Sequence, residues 1–306
     1  MGPDRMPAAE VSVSPGLVRR LLAAQHPDLA RLPIEVMANG WDNLMCRLGG
    51  GLAVRLPRRA VAAELVVHEQ RWLPVLAPRL PLPVPVPVRI GRPALGYPWP
   101  WSVVPFLPGR IAAHDPPADP GDAALSLGGF AGALHAPAAA DAPVNPVRGV
   151  ALAERGEAFA ERVSQLGGLV DRAAVLRVWE AAVAAPRWDG PPVWLHGDLH
   201  PANILVDRGR ISGVIDFGDV TSGDPATDLA VAWMLLPAGY HGTFREAYRA
   251  AGGPADDDDT WVRARGWALG LSLACLANSA DNPLMAGIGR RTMDAVLGQA
   301  APGPPG

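Results

Sequence analysis

The sequence predicts an α+β protein of two lobes, a small antiparallel sheet followed by a large, mainly helical body. Three observations predict it. Residues 34–56 hold three short apolar runs separated by turn-rich segments, and from Gly121 onward the apolar spacing is mostly helical. The chain has 306 residues, 49% of them hydrophobic, which exceeds one typical core. The expected divisions are 1–107 for the first lobe, 108–300 for the second, and a disordered Ala-Pro-Gly tail at 301–306.

The elements follow in order. Pro15 to Leu29 has helical spacing and packs outside the small lobe. Ile34 to Ala38, Leu44 to Leu48 and Leu52 to Leu56 read as a meander turning at Asn39-Gly40-Trp41-Asp42-Asn43 and at Gly49-Gly50-Gly51. Ala60 to Leu76 has the helical spacing of Val61, Leu65, His68, Trp72 and Leu76 and reads as a helix that carries Glu64 and Glu69. Leu80 to Val88 alternates Pro with Leu and Val, which enforces an extended connector. Trp99 to Phe106 is a further strand, ending at Leu107-Pro108-Gly109. Helices are expected over Ala123 to His135, Leu152 to Leu166, Leu169 to Ala184, Ala226 to Leu236, Thr243 to Ala251, Thr260 to Asn278 and Pro283 to Leu297. Between the third and fourth of these lie the strand Val193-Trp194-Leu195 and a hairpin, Ile204 to Val206 and Ile211 to Ile215, turning at Asp207-Arg208-Gly209.

That hairpin is framed by chemistry. His196-Gly197-Asp198-Leu199-His200-Pro201-Ala202-Asn203 precedes it, and Val214-Ile215-Asp216-Phe217-Gly218-Asp219 closes it. On a loop after a strand, Asp198 suits a general base that orients a hydroxyl and takes its proton. Magnesium takes oxygen ligands and keeps several waters, so the Asn203 amide oxygen and the Asp216 carboxylate are a sufficient protein share. The hairpin returns those two to the same end. Each residue taken singly is an ordinary turn or strand-end residue. Together they have the spacing of the catalytic and metal-binding loops of protein kinases. His196, Asp198 and His200 also alternate as zinc ligands can, but that reading leaves Asn203 and Asp216 unexplained. His196 reads better as a hydrogen-bond donor bracing the loop.

With these residues the chain resembles the aminoglycoside phosphotransferase family, small-molecule kinases related in fold to choline kinases and protein kinases. The resemblance rests on residues 196–203, on 214–218 and on Gly-Asp-Pro-Ala-Thr-Asp-Leu-Ala at 223–230, and extends more weakly over residues 15–298. It implies a bilobal protein-kinase-like fold, Asp198 as catalytic base, Asn203 and Asp216 as Mg2+ ligands, Asp228 as support for the catalytic loop, and ATP or GTP as phosphate donor. The same likeness makes the turn with Gly40 and Asn43 the nucleotide-covering loop and sets Val104 and Phe106 beside the nucleotide base at the hinge. All 27 basic residues are arginine, so Arg55 stands where the family places a phosphate-binding lysine. A guanidinium can grip phosphate oxygens bidentately. Its carboxylate partner is Glu69 or Glu64, of which Glu69 better matches the family helix.

Charge bounds the partners. A net charge of −3 without a basic run points to neither nucleic acid nor an anionic membrane, and Trp267 to Ala277 is too short to span a bilayer. The start lacks the apolar core of a signal peptide, and Cys46 and Cys275 form no close motif, so a cytoplasmic monomer or homodimer is expected. Residues 190–306 hold thirteen Asp or Glu against eight Arg, which suits a cationic hydroxyl acceptor such as an aminoglycoside or another antibiotic. Asp219 and Asp224 are candidate acceptor ligands, with Asp256 to Asp259 and Asp281 on the same surface, although the Asp256 to Asp259 run also precedes a helix, where acids favour the dipole. Kinase action on a metabolite such as an amino alcohol, or nucleotide binding without catalysis, are the alternatives.

Overall fold

The computed structural model describes residues 9–39, 43–255, 257–279 and 282–298. Gly40, Trp41, Asp42, Asp256, Asp281 and the 301–306 tail lie outside the described residues. The first helix, α1 (Pro15–Gln25), starts where Ser14 Oγ accepts from the Leu17 amide at 3.2 Å and where Pro15 has no helical hydrogen bond to lose. It stops four residues short of the expected Leu29, because His26 leaves helical dihedrals and the following amides close turns instead.

The meander forms as β1 (Ile34–Asn39), β2 (Asn43–Leu48) and β3 (Leu52–Pro57). With β4 (Arg89–Gly91) and β5 (Trp101–Pro105) it makes one sheet of order β1-β2-β3-β5-β4, antiparallel throughout. The helix α1 covers one face of this sheet, its Val18, Leu21 and Leu22 forming one buried cluster with Cys46, Val54, Leu56 and Trp101.

Between β3 and β4 runs α2 (Ala60–Leu76), whose buried positions are Ala62, Val66, Glu69, Trp72, Leu73 and Leu76. That stripe is one residue out of phase with the expected Val61 and Leu65 face; Val61 is 53% exposed. The phase turns Glu69 inward and leaves Glu64 exposed, so geometry chooses between the two carboxylates. Trp72, Leu73 and Leu76 then pack into the core of the second lobe.

The second lobe holds β6 (Arg110–Ile111), α3 (Pro120–Leu134), α4 (Gly156–Leu166), α5 (Arg172–Ala184), β7 (Val193–Leu195), β8 (Ile204–Asp207) and β9 (Arg210–Val214). After these come β10 (Thr221–Gly223), α6 (Ala226–Leu229), α7 (Val231–Leu235), α8 (His241–Ala250), α9 (Asp258–Ala277) and α10 (Pro283–Gly298). The expected hairpin is β8–β9, with β6 added to its edge, and β7 pairs antiparallel with β10. Leu152 to Arg155, expected as the first turn of α4, is a 3-10 turn. The helix expected over Ala226 to Leu236 is split at Ala230, where the Trp233 amide bonds back three residues and not four.

Close contact between α3 and α8 depends on two glycines: a Cβ on Gly128 would lie 2.4 Å from the Phe244 carbonyl oxygen, and one on Gly132 would lie 2.3 Å from that of Tyr248. Among the described residues no helix is long and apolar enough to cross a membrane.

The acidic run before α9 serves the helix. Asp257 is its N-cap, accepting from the Thr260 amide and hydroxyl, both at 2.7 Å, and Asp258 bonds Arg245 at 2.6 Å. Partial burial opposes ionisation of Asp257, but the two Thr260 donors outweigh it and hold the carboxyl below its ordinary value. A carboxyl lowered in the folded state contributes stability above its unfolded pKa and loses it as pH falls through the folded one. Asp257→Ala is therefore expected to cost about 1 kcal/mol at neutral pH, read by urea unfolding, and the difference from wild type should vanish in strong acid.

Candidate active site

The loop from β7 to β8 is held from beneath by Asp228 of α6. The fully buried Asp228 carboxylate accepts from the His196 amide at 2.6 Å, the Gly197 amide at 3.0 Å and His135 Nε2 at 3.3 Å. His135 in turn meets the Tyr248 hydroxyl at 3.1 Å, which ties α3, α6 and α8 to the loop. Gly197 has φ +84°, and a Cβ there would lie 2.3 Å from the Asp219 carbonyl oxygen, so the His-Gly-Asp turn admits only glycine. His196 braces the loop as expected of a hydrogen-bonding residue: Nε2 meets the Ile215 carbonyl at 3.0 Å, Nδ1 accepts from the Asp198 amide at 3.2 Å, and the ring packs on Phe217. Neither ring nitrogen is left for a metal.

Asp198 emerges from this loop with its side chain a quarter exposed. Arg148 Nη2 donates to its Oδ1 at 2.8 Å and His200 Nε2 to its Oδ2 at 3.1 Å. Burial works against ionisation of Asp198, yet His200 and Arg148 outweigh it and hold the carboxyl well below the usual carboxylate range. Asn203 Nδ2 donates to the Asp198 carbonyl at 2.9 Å, which turns its amide oxygen the other way, and the Asn203 carbonyl accepts from the Ile215 amide at 2.9 Å. Asp216 follows directly, in the left-handed region at φ +64° with its side chain 54% exposed. The next ring, Phe217, is buried against Phe130. The strain at Asp216 is thus held by a buried neighbour while the carboxylate stays open. An amide oxygen and one half-exposed carboxylate fit magnesium, whose remaining ligands are water and phosphate, and no group of three or more His, Cys, Asp or Glu suited to a metal occurs among the described residues.

Above the loop stands Arg55 of β3. Its buried guanidinium contacts Glu69 Oε1 through Nη1 and Asp216 Oδ1 through Nη2 at 2.7 Å. With the Asn43 amide turned so that its oxygen faces the guanidinium, that oxygen accepts from Nε at 3.2 Å and Nη2 at 3.0 Å. Burial pushes the Glu69 carboxyl up to about 7 against the pull of Arg55. The Arg55 charge is raised in stability by Glu69 and Asp216 despite its own burial. One cation therefore fastens β2, α2 and the Asp216 loop. At the hinge, Val104 is buried opposite Ala53, and the Phe106 amide donates to the Gly51 carbonyl while Arg47 stacks over its ring at 4.4 Å.

The expected acceptor ligands part company. Asp219 is close: burial and the charges of Asp198 and Asp216 raise its carboxyl, and Asn145 donates to it at 2.8 Å. Asp224 is a correction. It is buried, paired with Arg263 Nε at 2.9 Å and capping the Ala226 amide at 3.0 Å, so no carboxylate oxygen faces an acceptor. Arg148 is the residue that sequence reasoning missed. It sits in a Pro- and Gly-rich loop pinned to β10 and α6 by Asn145, whose amide donates to Thr221 Oγ1 at 2.9 Å, and by Gly149, whose amide donates to Thr227 Oγ1 at 3.2 Å. No local pattern marks it.

Two carboxylates and an amide thus gather at one hairpin end, under a buried cation and carboxylate pair. The chain belongs to the phosphotransferase enzyme family, whose model matches residues 33–267. A solved GDP complex of an aminoglycoside 2′-phosphotransferase IIIa is similar at TM-score 0.68 and 21% identity, over 92% of this chain and 97% of that one. A macrolide 2′-phosphotransferase from Brachybacterium faecium is similar at TM-score 0.57 and 25% identity, over 93% and 99%. An Escherichia coli aminoglycoside 3′-phosphotransferase is 35% identical over 82 residues, 27% of this chain and 30% of that one. The chain spans less than a third of the length of the curated relatives it matches.

Proposed function

We propose that the chain moves the γ-phosphoryl group of ATP or GTP to a hydroxyl of a small molecule. The observation that carries this reading is the meeting of Asp198, Asn203 and Asp216 at one end of the β8–β9 hairpin, with Asp198 ionised and a quarter exposed. The donor assignment draws support from similar structures described as GDP and ATP complexes, and the names of relatives make antibiotic-sized polyols the acceptors to test first.

The acceptor oxygen attacks the γ-phosphorus; the new P–O bond forms as the bond to the bridging oxygen breaks, and the nucleoside diphosphate leaves with that electron pair. The hydroxyl proton passes to Asp198. A carboxylate held this low is a weak base toward a free hydroxyl, so it takes the proton late, once the oxygen bonds phosphorus and becomes acidic. Asn203 and Asp216 would hold magnesium, which when bound neutralises phosphate oxygens. Asp228, His196 and Gly197 keep the loop rigid, and Arg148 with His200 aims the Asp198 carboxylate. Magnesium-dependent nucleotide turnover, stimulated by a hydroxylated acceptor and lost on chelation, tests the proposal; turnover indifferent to magnesium and acceptor contradicts it.

Arg55 supplies a separate test. A guanidinium has five N–H groups, and Glu69, Asp216 and Asn43 engage four of them, leaving one on Nη1 for phosphate. Arg55→Ala is expected to raise the KM for nucleotide about tenfold, a loss of about 1.4 kcal/mol, with Arg55→Lys in between. Steady-state kinetics on the two variants checks this, and a KM unchanged in Arg55→Ala moves the phosphate anchor elsewhere.

A further inference from the structure

Arg148 joins Asp198 to a second feature. Beside that guanidinium lies a shallow, solvent-open hollow lined among others by Arg148, Arg155, Arg162, Phe159, Trp179 and Trp267. Arg155 and Arg162 are seven residues apart, with Phe159 between them, so they share one face of α4 and its leading turn. Phe159 is stacked on Trp179 of α5 with ring centres 4.0 Å apart, and Trp267 of α9 closes the other wall. The hollow is near the base, since Arg148, which lines it, donates to the Asp198 carboxylate at 2.8 Å.

The charge in this hollow is unbalanced. Among the described residues neither Arg155 nor Arg162 has a hydrogen bond or ion pair, although both are half-buried. Glu161, beside Arg162, is exposed and bonded by Gln165 at 3.1 Å. Burial and then the neighbouring arginines lower the pKa of both Arg155 and Arg162, so each is held where its charge is disfavoured. Trp267 adds a buried indole N–H with no partner. Like charges crowded on an apolar wall destabilise a fold, and an anion among them reverses the sign. Three of the acids read as candidates for a cation are engaged elsewhere, Asp224 by Arg263, Asp257 by the α9 N-terminus and Asp258 by Arg245, while Asp219 accepts from Asn145.

We propose that this hollow is the acceptor subsite and that the acceptor is a hydroxylated molecule bearing an anionic group, a carboxylate or a phosphate or sulfate ester, held by Arg155 and Arg162. Its apolar part lies on Phe159, Trp179 and Trp267, and its hydroxyl reaches Asp198. This rests on the phosphotransferase reading above and narrows its substrate class to one opposite in charge to an aminoglycoside.

The test uses matched acceptors that differ in one group. One set is gluconate, sorbitol 6-phosphate, sorbitol and glucamine; another is 4-(hydroxymethyl)benzoate with the corresponding alcohol and amine. Relative kcat/KM is measured with ATP and magnesium for wild type, for Arg155→Gln with Arg162→Gln, and for Arg155→Lys with Arg162→Lys. The anionic members are expected to exceed their uncharged and amine partners at least tenfold, the carboxylate and phosphate arms showing which anion is preferred. The preference should disappear in the Gln variant through a raised KM and survive in the Lys variant. Inorganic sulfate should raise the Tm of wild type and not that of the Gln variant, whose own Tm should be no lower. Amine or uncharged acceptors used as well as anionic ones, anionic acceptors no better than water, or a sulfate shift equal in both proteins would each overturn the proposal. Failure of the phosphotransferase reading itself is seen separately, as nucleotide hydrolysis that does not depend on Asp198.

Discussion

Replacing Asp198 by Ala is expected to lower the proposed phosphoryl transfer to any acceptor by on the order of 10²-fold or more, with the fold retained. The side chain is a quarter exposed and its partners are polar, so its loss leaves no apolar cavity. The loop that carries it is fixed independently, by Asp228 through two backbone amides and by His196 through Ile215. What disappears is a carboxylate kept ionised by His200 and Arg148 and placed beside Asn203. Thermal melts should show wild-type and variant Tm within a few degrees of each other, while turnover separates them. Equal turnover would remove Asp198 from the role of base.

Asp228→Ala acts in the opposite sense, on stability before chemistry. It strips three donors of their acceptor at a site with no solvent access: the His196 amide, the Gly197 amide and His135 Nε2. Leaving buried donors unpaired costs about 3–5 kcal/mol in all, or a fall in Tm on the order of 10 °C for a chain of this size. Asp228→Asn keeps one acceptor oxygen and should fall between. Urea unfolding followed by tryptophan fluorescence measures the loss, and a midpoint equal to wild type in Asp228→Ala would show that the loop is braced elsewhere.

The difference between these two aspartates was partly legible in the chain. Asp198, Asn203 and Asp216 could be read because one hairpin brings residues eighteen positions apart to one end, and hairpins leave a local pattern of apolar runs about a turn. Asp228 was legible only through the family resemblance, for its partners His135 and Tyr248 come from α3 and α8. Arg148 reaches Asp198 across 50 residues from an irregular loop, and Arg155 and Arg162 look like ordinary helix-surface charges until α5 and α9 close over them. The same blindness misassigned Asp224. An acidic residue after a catalytic loop looks available, and only the fold brings Arg263 to it from 39 residues away. In the small lobe the apolar pattern gave the helix α2 with Trp72 and Leu76 buried, but not the phase of its first turns, where Ala62, Val66 and Glu69 and not Val61 and Leu65 face inward. The strands β6 and β10 are two and three residues long, too short to carry a period at all.

Phosphoryl transfer through Asp198 is tested most directly by phosphorus NMR and product mass, with ATP or GTP, magnesium and an acceptor panel spanning anionic, neutral and cationic polyols. The expected result is a phosphate monoester on one acceptor class, formed with release of nucleoside diphosphate by wild type and reduced at least a hundredfold in Asp198→Ala. Ester formed equally by both proteins, or nucleotide bound and left intact with every acceptor, would contradict it.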